Sequence, residues 1–216
     1  MRRDRFRPGL LVLGLLVLGV LLVTSGCGEP EPVERGLTGG WITAGCEFVR
    51  APQTVRVGNR TLPATPPALA AAMARIDAGG RADHAASYAG LEVDQQRVRA
   101  VVYRVPSAGF DDFIRLSAEN TCVVVRDAAH GLAELTDWSD RIVADLRAWQ
   151  EHGVRISTVV ARHDGVGVEI GTRDVARARA ELPRRYGRSA PLIFVEQGPV
   201  IPLAQPGVPT APQPGG

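Results

Sequence analysis

The stretch VRISTVVARHDGVGVEIG, residues 154–171, carries the clearest folding signal of the chain. Two runs rich in β-branched residues flank an Asp164-Gly165 pair, and the second run has apolar residues at every other position: Val166, Val168 and Ile170. An Asp-Gly pair supplies the positive φ angles of a tight turn, and a period of two is typical of a strand with one buried face. The stretch therefore predicts a β-hairpin.

A helix and a last strand follow this hairpin in the sequence. Thr172 is a candidate N-cap for a helix through Val175 and Leu182, which Pro183 should bend or end. Residues 190–195 are a short apolar run and predict the strand. This part of the chain therefore predicts a hairpin–helix–strand unit.

The same order of elements is predicted once more upstream. Its parts are a strand at 88–93, a turn at 94–96, a strand at 97–105, a helix from Ser107 through Glu119 and a buried strand at 122–125. The turn residues Asp94 and Asp164 lie 70 residues apart. A constant offset of this kind indicates an internal repeat.

One long amphipathic helix is predicted between the two units. Its apolar residues recur at spacings of three and four: Leu132, Leu135, Trp138, Ile142, Leu146 and Trp149. Gly153 is expected to end the helix. Both tryptophans then point inward, either as ordinary core residues or as an aromatic ligand box.

The start of the domain is irregular. Residues 41–58 predict one strand around Cys46, and three prolines, Pro63, Pro66 and Pro67, predict a rigid connection. A short helix follows at 68–78 and ends at Gly79-Gly80.

Together these elements predict an α+β fold. We expect a mostly antiparallel sheet with helices packed on one face, built from two hairpin–helix–strand units joined by a long helix. The length fits a single domain at residues 41–198.

The amino terminus has the charge order of an export signal. Four arginines lie within residues 2–7, and residues 9–23 are only Gly, Leu or Val. Ser25-Gly26-Cys27 then resembles the lipobox of bacterial lipoproteins, although Thr24 stands where a leucine is usual. The resemblance implies a signal peptide at 1–26, a lipid on Cys27, and attachment to the membrane through that lipid on the extracytoplasmic side.

Two other interpretations of this segment stay open, an uncleaved membrane anchor and a freely secreted product. In all three, the rest of the chain lies outside the cytoplasm. Residues 27–40 are rich in Gly, Pro and Glu and predict a flexible tether, and residues 199–216 contain six prolines and predict a disordered tail.

If Cys27 carries a lipid, Cys46 and Cys122 remain as an even pair. In an exported protein such a pair most simply forms a disulfide, which here closes a loop of about 75 residues. A catalytic thiol is the alternative, but neither cysteine has a histidine near it in sequence.

The charge balance argues against a nucleic-acid partner. The signal holds four of the 25 basic residues and one of the 23 acidic ones, so the mature part has 21 basic and 22 acidic side chains. A nucleic-acid-binding face would need concentrated positive charge.

We predict no catalytic residue, metal site or cofactor. The four histidines, which are His84, His130, His152 and His163, do not have the spacing of metal ligands. The sequence also has no Gly-x-Ser-x-Gly elbow and no dinucleotide fingerprint. The pairs Asp111-Asp112 and Asp137 with Asp140 could serve as paired carboxylates or calcium ligands, or simply lie at helix ends and solvated faces.

The phrases YAGLEVD and DGVGVEIG resemble parts of the prodomains of secreted serine proteases of the α-lytic type. The resemblance implies an interaction module without catalysis. We therefore expect a binding protein of the bacterial envelope. The alternatives are a cell-wall hydrolase with acidic catalytic residues, favoured by two carboxylates in one cleft, and a structural spacer.

Overall fold

The computed structural model describes residues 39–198, which form an α+β fold of nine strands in three sheets and five α-helices. The predicted signal, Cys27, the tether up to residue 38 and the tail lie outside the described residues. The elements are β1 (Gly40–Ile42), a 3-10 turn (Ala44–Glu47), β2 (Gln53–Val57), β3 (Arg60–Ala64), α1 (Pro67–Asp83), β4 (Tyr88–Asp94), β5 (Arg99–Arg104), α2 (Ala108–Ala118), β6 (Val123–Asp127), α3 (Leu132–Ala144), α4 (Leu146–Glu151), β7 (Ile156–Ala161), β8 (Val168–Thr172), α5 (Val175–Tyr186) and β9 (Leu192–Glu196).

The two predicted hairpin–helix–strand units are both present. In the first, β4 and β5 form an antiparallel hairpin, α2 crosses over, and β6 pairs parallel to β5. In the second, β7, β8, α5 and β9 repeat this arrangement. Each hairpin also has an irregularity at the same place, skipping Ala89 in one unit and Ser157 in the other.

Helices cover one face of each larger sheet, as predicted. The first sheet has the order β1-β6-β5-β4, and α1 and α2 bury residues such as Ile76 and Phe110 against it. The second has the order β7-β8-β9, and α3, α4 and α5 bury residues such as Ile142 and Leu182 against it. Four of the six strand pairings are antiparallel.

Helix α1 does not end at Gly79-Gly80, so that prediction is wrong. The helix continues to Asp83 because both glycines lie against aromatic rings. A Cβ on Gly80 would lie 2.7 Å from the ring of Tyr88, and one on Gly79 would lie 2.2 Å from that of Phe113. The glycines permit close packing here and do not terminate the helix.

The predicted long helix is interrupted at Asp145, which separates α3 from α4. The carboxylate of Asp145 accepts two hydrogen bonds from the Arg185 guanidinium, at 2.7 and 2.6 Å, and one from the Tyr186 hydroxyl, at 2.9 Å. These bonds join the break to α5.

Helix α5 differs from the prediction at both ends. Its N-cap is Asp174, whose carboxylate accepts from the Arg177 amide, while the Thr172 hydroxyl donates to the Arg155 carbonyl. Pro183 lies inside the helix, which continues to Tyr186. Proline removes one amide donor from the helix, and here the helix continues past it.

The amino-terminal part holds two short strands where one was predicted, and Pro63 belongs to β3. The disulfide between Cys46 and Cys122 is formed. Strands β2 and β3 make a separate two-stranded sheet, in which Pro63 pairs with Thr54. Between residues 39 and 198, no helix is both long and apolar enough to cross a bilayer.

Candidate functional site

The candidate site lies on the face of the first sheet that the helices leave open. Trp41, Val102 and Val125 point toward the helices, so their strand neighbours point to the other side. Strand register then sets a row of side chains across the open face, in the order Ile42, Val124, Val101, Glu92.

A second row on this face centres on Tyr103, which pairs with Arg126 on β6. The Tyr103 ring is buried, and its hydroxyl donates a 2.8 Å hydrogen bond to Glu92 Oε1. Burial, this hydrogen bond and the Glu92 charge raise the pKa of Tyr103 to about 12. The hydroxyl is therefore protonated at neutral pH and acts as a donor.

The loop between β7 and β8 rests on this surface from the other unit. Gly90 on β4 permits the approach, because a Cβ there would lie 2.4 Å from the carbonyl oxygen of His163. At the same contact the His130 amide donates to the Gly165 carbonyl at 3.0 Å. Gly165 has φ +68°, as expected for the glycine of this turn.

This approach brings His163 against Glu92 and Tyr103. His163 Nε2 lies 3.3 Å from Glu92 Oε2, and the imidazole and Tyr103 rings meet edge to face at 5.8 Å. About half of the side-chain surface of both His163 and Glu92 stays exposed. We call the whole patch the junction surface, and its residues are Ile42, Glu92, Val101, Tyr103, Val124, Arg126 and His163.

Arg162 fixes the loop that carries His163. Its guanidinium donates to Asp164, at 2.6 Å from Nη2, and to Glu169 at 3.1 Å. Burial would raise the pKa of Asp164, but the hydrogen bonds from Arg162 and the Val166 amide hold it below its usual value. Asp164 and Glu169 in turn raise the pKa of Arg162.

The junction surface is suited to recognition. It presents an exposed imidazole, a carboxylate and apolar side chains, with an aromatic ring beneath them. Within residues 39–198, no hydroxyl or thiol hydrogen-bonds to His163, so the described chain assembles no nucleophile–base pair there.

A second feature is an open depression of about 290 Å³ between α1, β4 and α3, whose lining includes Arg81, Tyr88 and Asp137. Beside it, the Tyr88 hydroxyl donates to Asp77 at 2.5 Å, and Arg81 Nε donates to both Asp77 oxygens at 3.0 Å. Burial acts to raise the pKa of Asp77, but these hydrogen bonds outweigh it and lower the pKa. Burial and Asp77 raise the pKa of Tyr88.

The structure gives separate partners to the two candidate carboxylates on α2, Asp111 and Asp112. Asp111 accepts from the buried Arg104 at 2.6 Å, whereas the exposed Asp112 accepts from Arg115 at 2.7 Å. The other pair, Asp137 and Asp140, is exposed on α3.

The four histidines lie apart. His84 packs against Phe110 and Phe113, His130 contacts Glu134, His152 donates to the Ala148 carbonyl, and His163 lies on the junction surface. In the part of the chain that the structure describes, no group of three or more His, Cys, Asp or Glu side chains could hold a metal ion.

Trp138 and Trp149 pack in the second core. The Trp149 indole donates to the Tyr186 hydroxyl at 2.8 Å, and Trp138 meets the Tyr186 ring edge to face at 6.4 Å. Trp149 is buried. These contacts are those of ordinary core residues, which is one of the two alternatives that the sequence left open.

Sequence reasoning missed Tyr103 and Glu92. The alternation along 97–105 could have placed Tyr103 and Val101 on one face, but both faces of that run are largely apolar, so the open face was not apparent. Comparison with known proteins finds no matching family, curated protein or solved structure.

Proposed function

We propose that the protein is a lipid-anchored binding protein of the bacterial cell envelope, held at the membrane through Cys27, whose junction surface binds a partner protein. The observation that carries the binding role is the Tyr103–Glu92–His163 contact. Both repeat units contribute to it, and its imidazole and carboxylate face solvent.

The composition of the surface fits a protein partner. Ile42 is 61% exposed and lies in one row with Val124, beside the aromatic and charged groups around Tyr103. Protein interfaces combine an apolar, aromatic centre with a polar rim in this way. The phrases that resemble protease prodomains fall on β4 and on the turn leading into β8, which contribute Glu92 and adjoin His163.

A hydrolase that uses two acidic residues is the weaker proposal. Among the residues lining the depression, Asp137 is the one carboxylate, and the nearby Asp77 is bound to Arg81 and Tyr88. An acid pair needs two carboxyl groups that flank the same bond of the substrate.

The anchor is tested by metabolic labelling with palmitate in a bacterial host. The wild-type chain should carry the label, and Cys27→Ala should lose both the label and the signal cleavage. A Cys27→Ala protein that is processed and retained like the wild type would refute the lipid anchor.

The binding role is tested by affinity capture of the full chain from envelope extracts, using matched variants. Ile42→Ser changes an exposed apolar residue of the junction surface, and Leu116→Ser changes one that is 79% exposed on α2. The captured partner should be lost with Ile42→Ser and kept with Leu116→Ser. Equal capture by both variants would show that binding uses another surface.

A further inference from the structure

No element within residues 39–198 covers the β2–β3 hairpin. Its extensive contacts are between its own two strands, and every residue of Gln53–Val57 and of residues 60–63 is exposed. Hairpins of two strands are marginal alone, since they bury little apolar surface. The exposed hairpin is therefore a candidate contact surface.

The two faces of this hairpin differ in chemistry. Register places Val55 opposite Leu62 and Val57 opposite Arg60, so three apolar side chains and one arginine share a face. Val57, at the tip, is 58% exposed. The other face carries Thr54, Arg56, Thr61 and Pro63.

The charged residues of the hairpin itself have one sign. Residues 53–64 contain two arginines, Arg56 and Arg60, and neither Asp nor Glu. Arg56 and Arg60 make no ion pair with any residue in the described range 39–198. The tip therefore combines exposed apolar groups with free guanidinium groups, which suits contact with anionic phospholipid.

The root of the hairpin is held in place. The disulfide joins Cys46 to Cys122 at the start of β6, and Arg50 Nη2 donates to the Asn120 carbonyl at 2.6 Å. Because the segment before β2 is fixed at these two points, the hairpin extends from a defined position on the first sheet.

We propose that the β2–β3 hairpin is a membrane-contacting arm, which lays its Val55–Val57–Leu62 face on a bilayer surface rich in anionic phospholipid. The inference rests on the proposed lipid tether, which supplies the proximity. Cys27 lies twelve residues before Gly39, and that length of chain reaches at most about 40 Å. The tether therefore keeps Gly39, at the start of the described domain, within about 40 Å of the lipid on Cys27.

The test places a tryptophan on each face of the arm. The full lipidated chain is reconstituted in vesicles of brominated phosphatidylglycerol or brominated phosphatidylcholine, and bromine quenching of fluorescence is compared for Val57→Trp and Thr61→Trp. The wild-type protein supplies the background of the three native tryptophans. We expect strong quenching for Val57→Trp in phosphatidylglycerol, and much weaker quenching for Thr61→Trp and in phosphatidylcholine.

Charge is tested by adding Arg60→Gln or, separately, Arg56→Gln to Val57→Trp. Loss of Arg60, which shares the apolar face, should lower the ratio of membrane-bound to free arm about fivefold, and loss of Arg56 on the opposite face should lower it less. Salt at 0.5 M should also weaken the contact. Because these side chains are exposed, the fold should be kept, as an unchanged thermal unfolding midpoint would show.

Four results would overturn the arm. The first three are no quenching of Val57→Trp in a vesicle-bound protein, equal quenching of Val57→Trp and Thr61→Trp, and equal quenching in both lipids. The fourth is a blue shift of the Val57→Trp fluorescence that depends on protein concentration without vesicles, which would indicate that a second copy of the chain contacts the arm. The palmitate label reports the tether separately. A labelled chain without quenching refutes the arm alone, and an unlabelled chain that is quenched refutes the tether alone.

Discussion

Replacing Gly90 by alanine should disturb the junction surface selectively. A Cβ at this position would lie 2.4 Å from the carbonyl oxygen of His163 and 2.8 Å from its Cα. These are backbone atoms that cannot rotate away, so β4 and the loop must separate by about 1 Å to restore normal contact. The imidazole of His163 then moves away from Glu92.

The expected loss of stability follows from two opposing effects. Overpacking of this kind costs about 1–3 kcal/mol, and the lower entropy of the unfolded alanine chain returns about 0.4–1 kcal/mol. A net destabilisation of about 1–2 kcal/mol is expected. Gly109→Ala is the matched control. Within residues 39–198, a Cβ at that helical position would meet no atom within 4 Å beyond its sequence neighbours and its own helix backbone, so stability should stay equal or rise slightly.

The assay is urea unfolding followed by circular dichroism, together with the imidazole NMR signals of His163. Gly90→Ala should lower the urea midpoint and shift the His163 signals, and Gly109→Ala should do neither. If Gly90→Ala matched the wild type in both measurements, the close contact between the two units would be refuted.

Two further variants test the internal hydrogen bonds. Tyr186→Phe should lower the free energy of unfolding in urea by about 1–3 kcal/mol, because the buried Trp149 indole loses its hydrogen-bond acceptor. The loss should be smaller when Trp149 is also replaced by phenylalanine. Equal losses with and without Trp149→Phe would contradict this coupling. The hydrogen bonds to Asp77 lower its pKa in the folded protein. They therefore stabilise the fold at pH values above the ordinary aspartate pKa of about 4, and this stabilisation is lost as the pH falls through the lowered pKa of the folded protein. Asp77→Asn should therefore flatten the decline of the thermal midpoint below about pH 4, and an unchanged acid slope would refute that role.

The order of elements was predictable because periodicity is a local property. Alternation in 154–171 and spacings of three and four in 132–149 each identified the correct kind of element. The ends of the helices were less predictable. Gly79-Gly80 has the appearance of a terminator in sequence, and only the packing of Tyr88 and Phe113 explains why the helix continues.

The junction surface depends on contacts that the sequence does not encode locally. Glu92 and His163 lie 71 residues apart and meet because the loop of one unit rests on Gly90 of the other. The sequence predicts the turn at Asp164-Gly165 correctly, and in the structure this turn holds the neighbouring His163 against the first unit. The disulfide followed from the expectation that the chain is exported and that Cys27 carries a lipid, which leaves Cys46 and Cys122 as a pair.

Photo-cross-linking in living cells tests the proposed binding role most directly. The photoreactive amino acid p-benzoylphenylalanine is placed at His163 in one strain and at Leu116, which is exposed on α2, in another. We predict a discrete adduct with one envelope protein that depends on ultraviolet light and forms from His163 only. No adduct from His163, or the same adducts from both positions, would contradict the junction surface as the binding site.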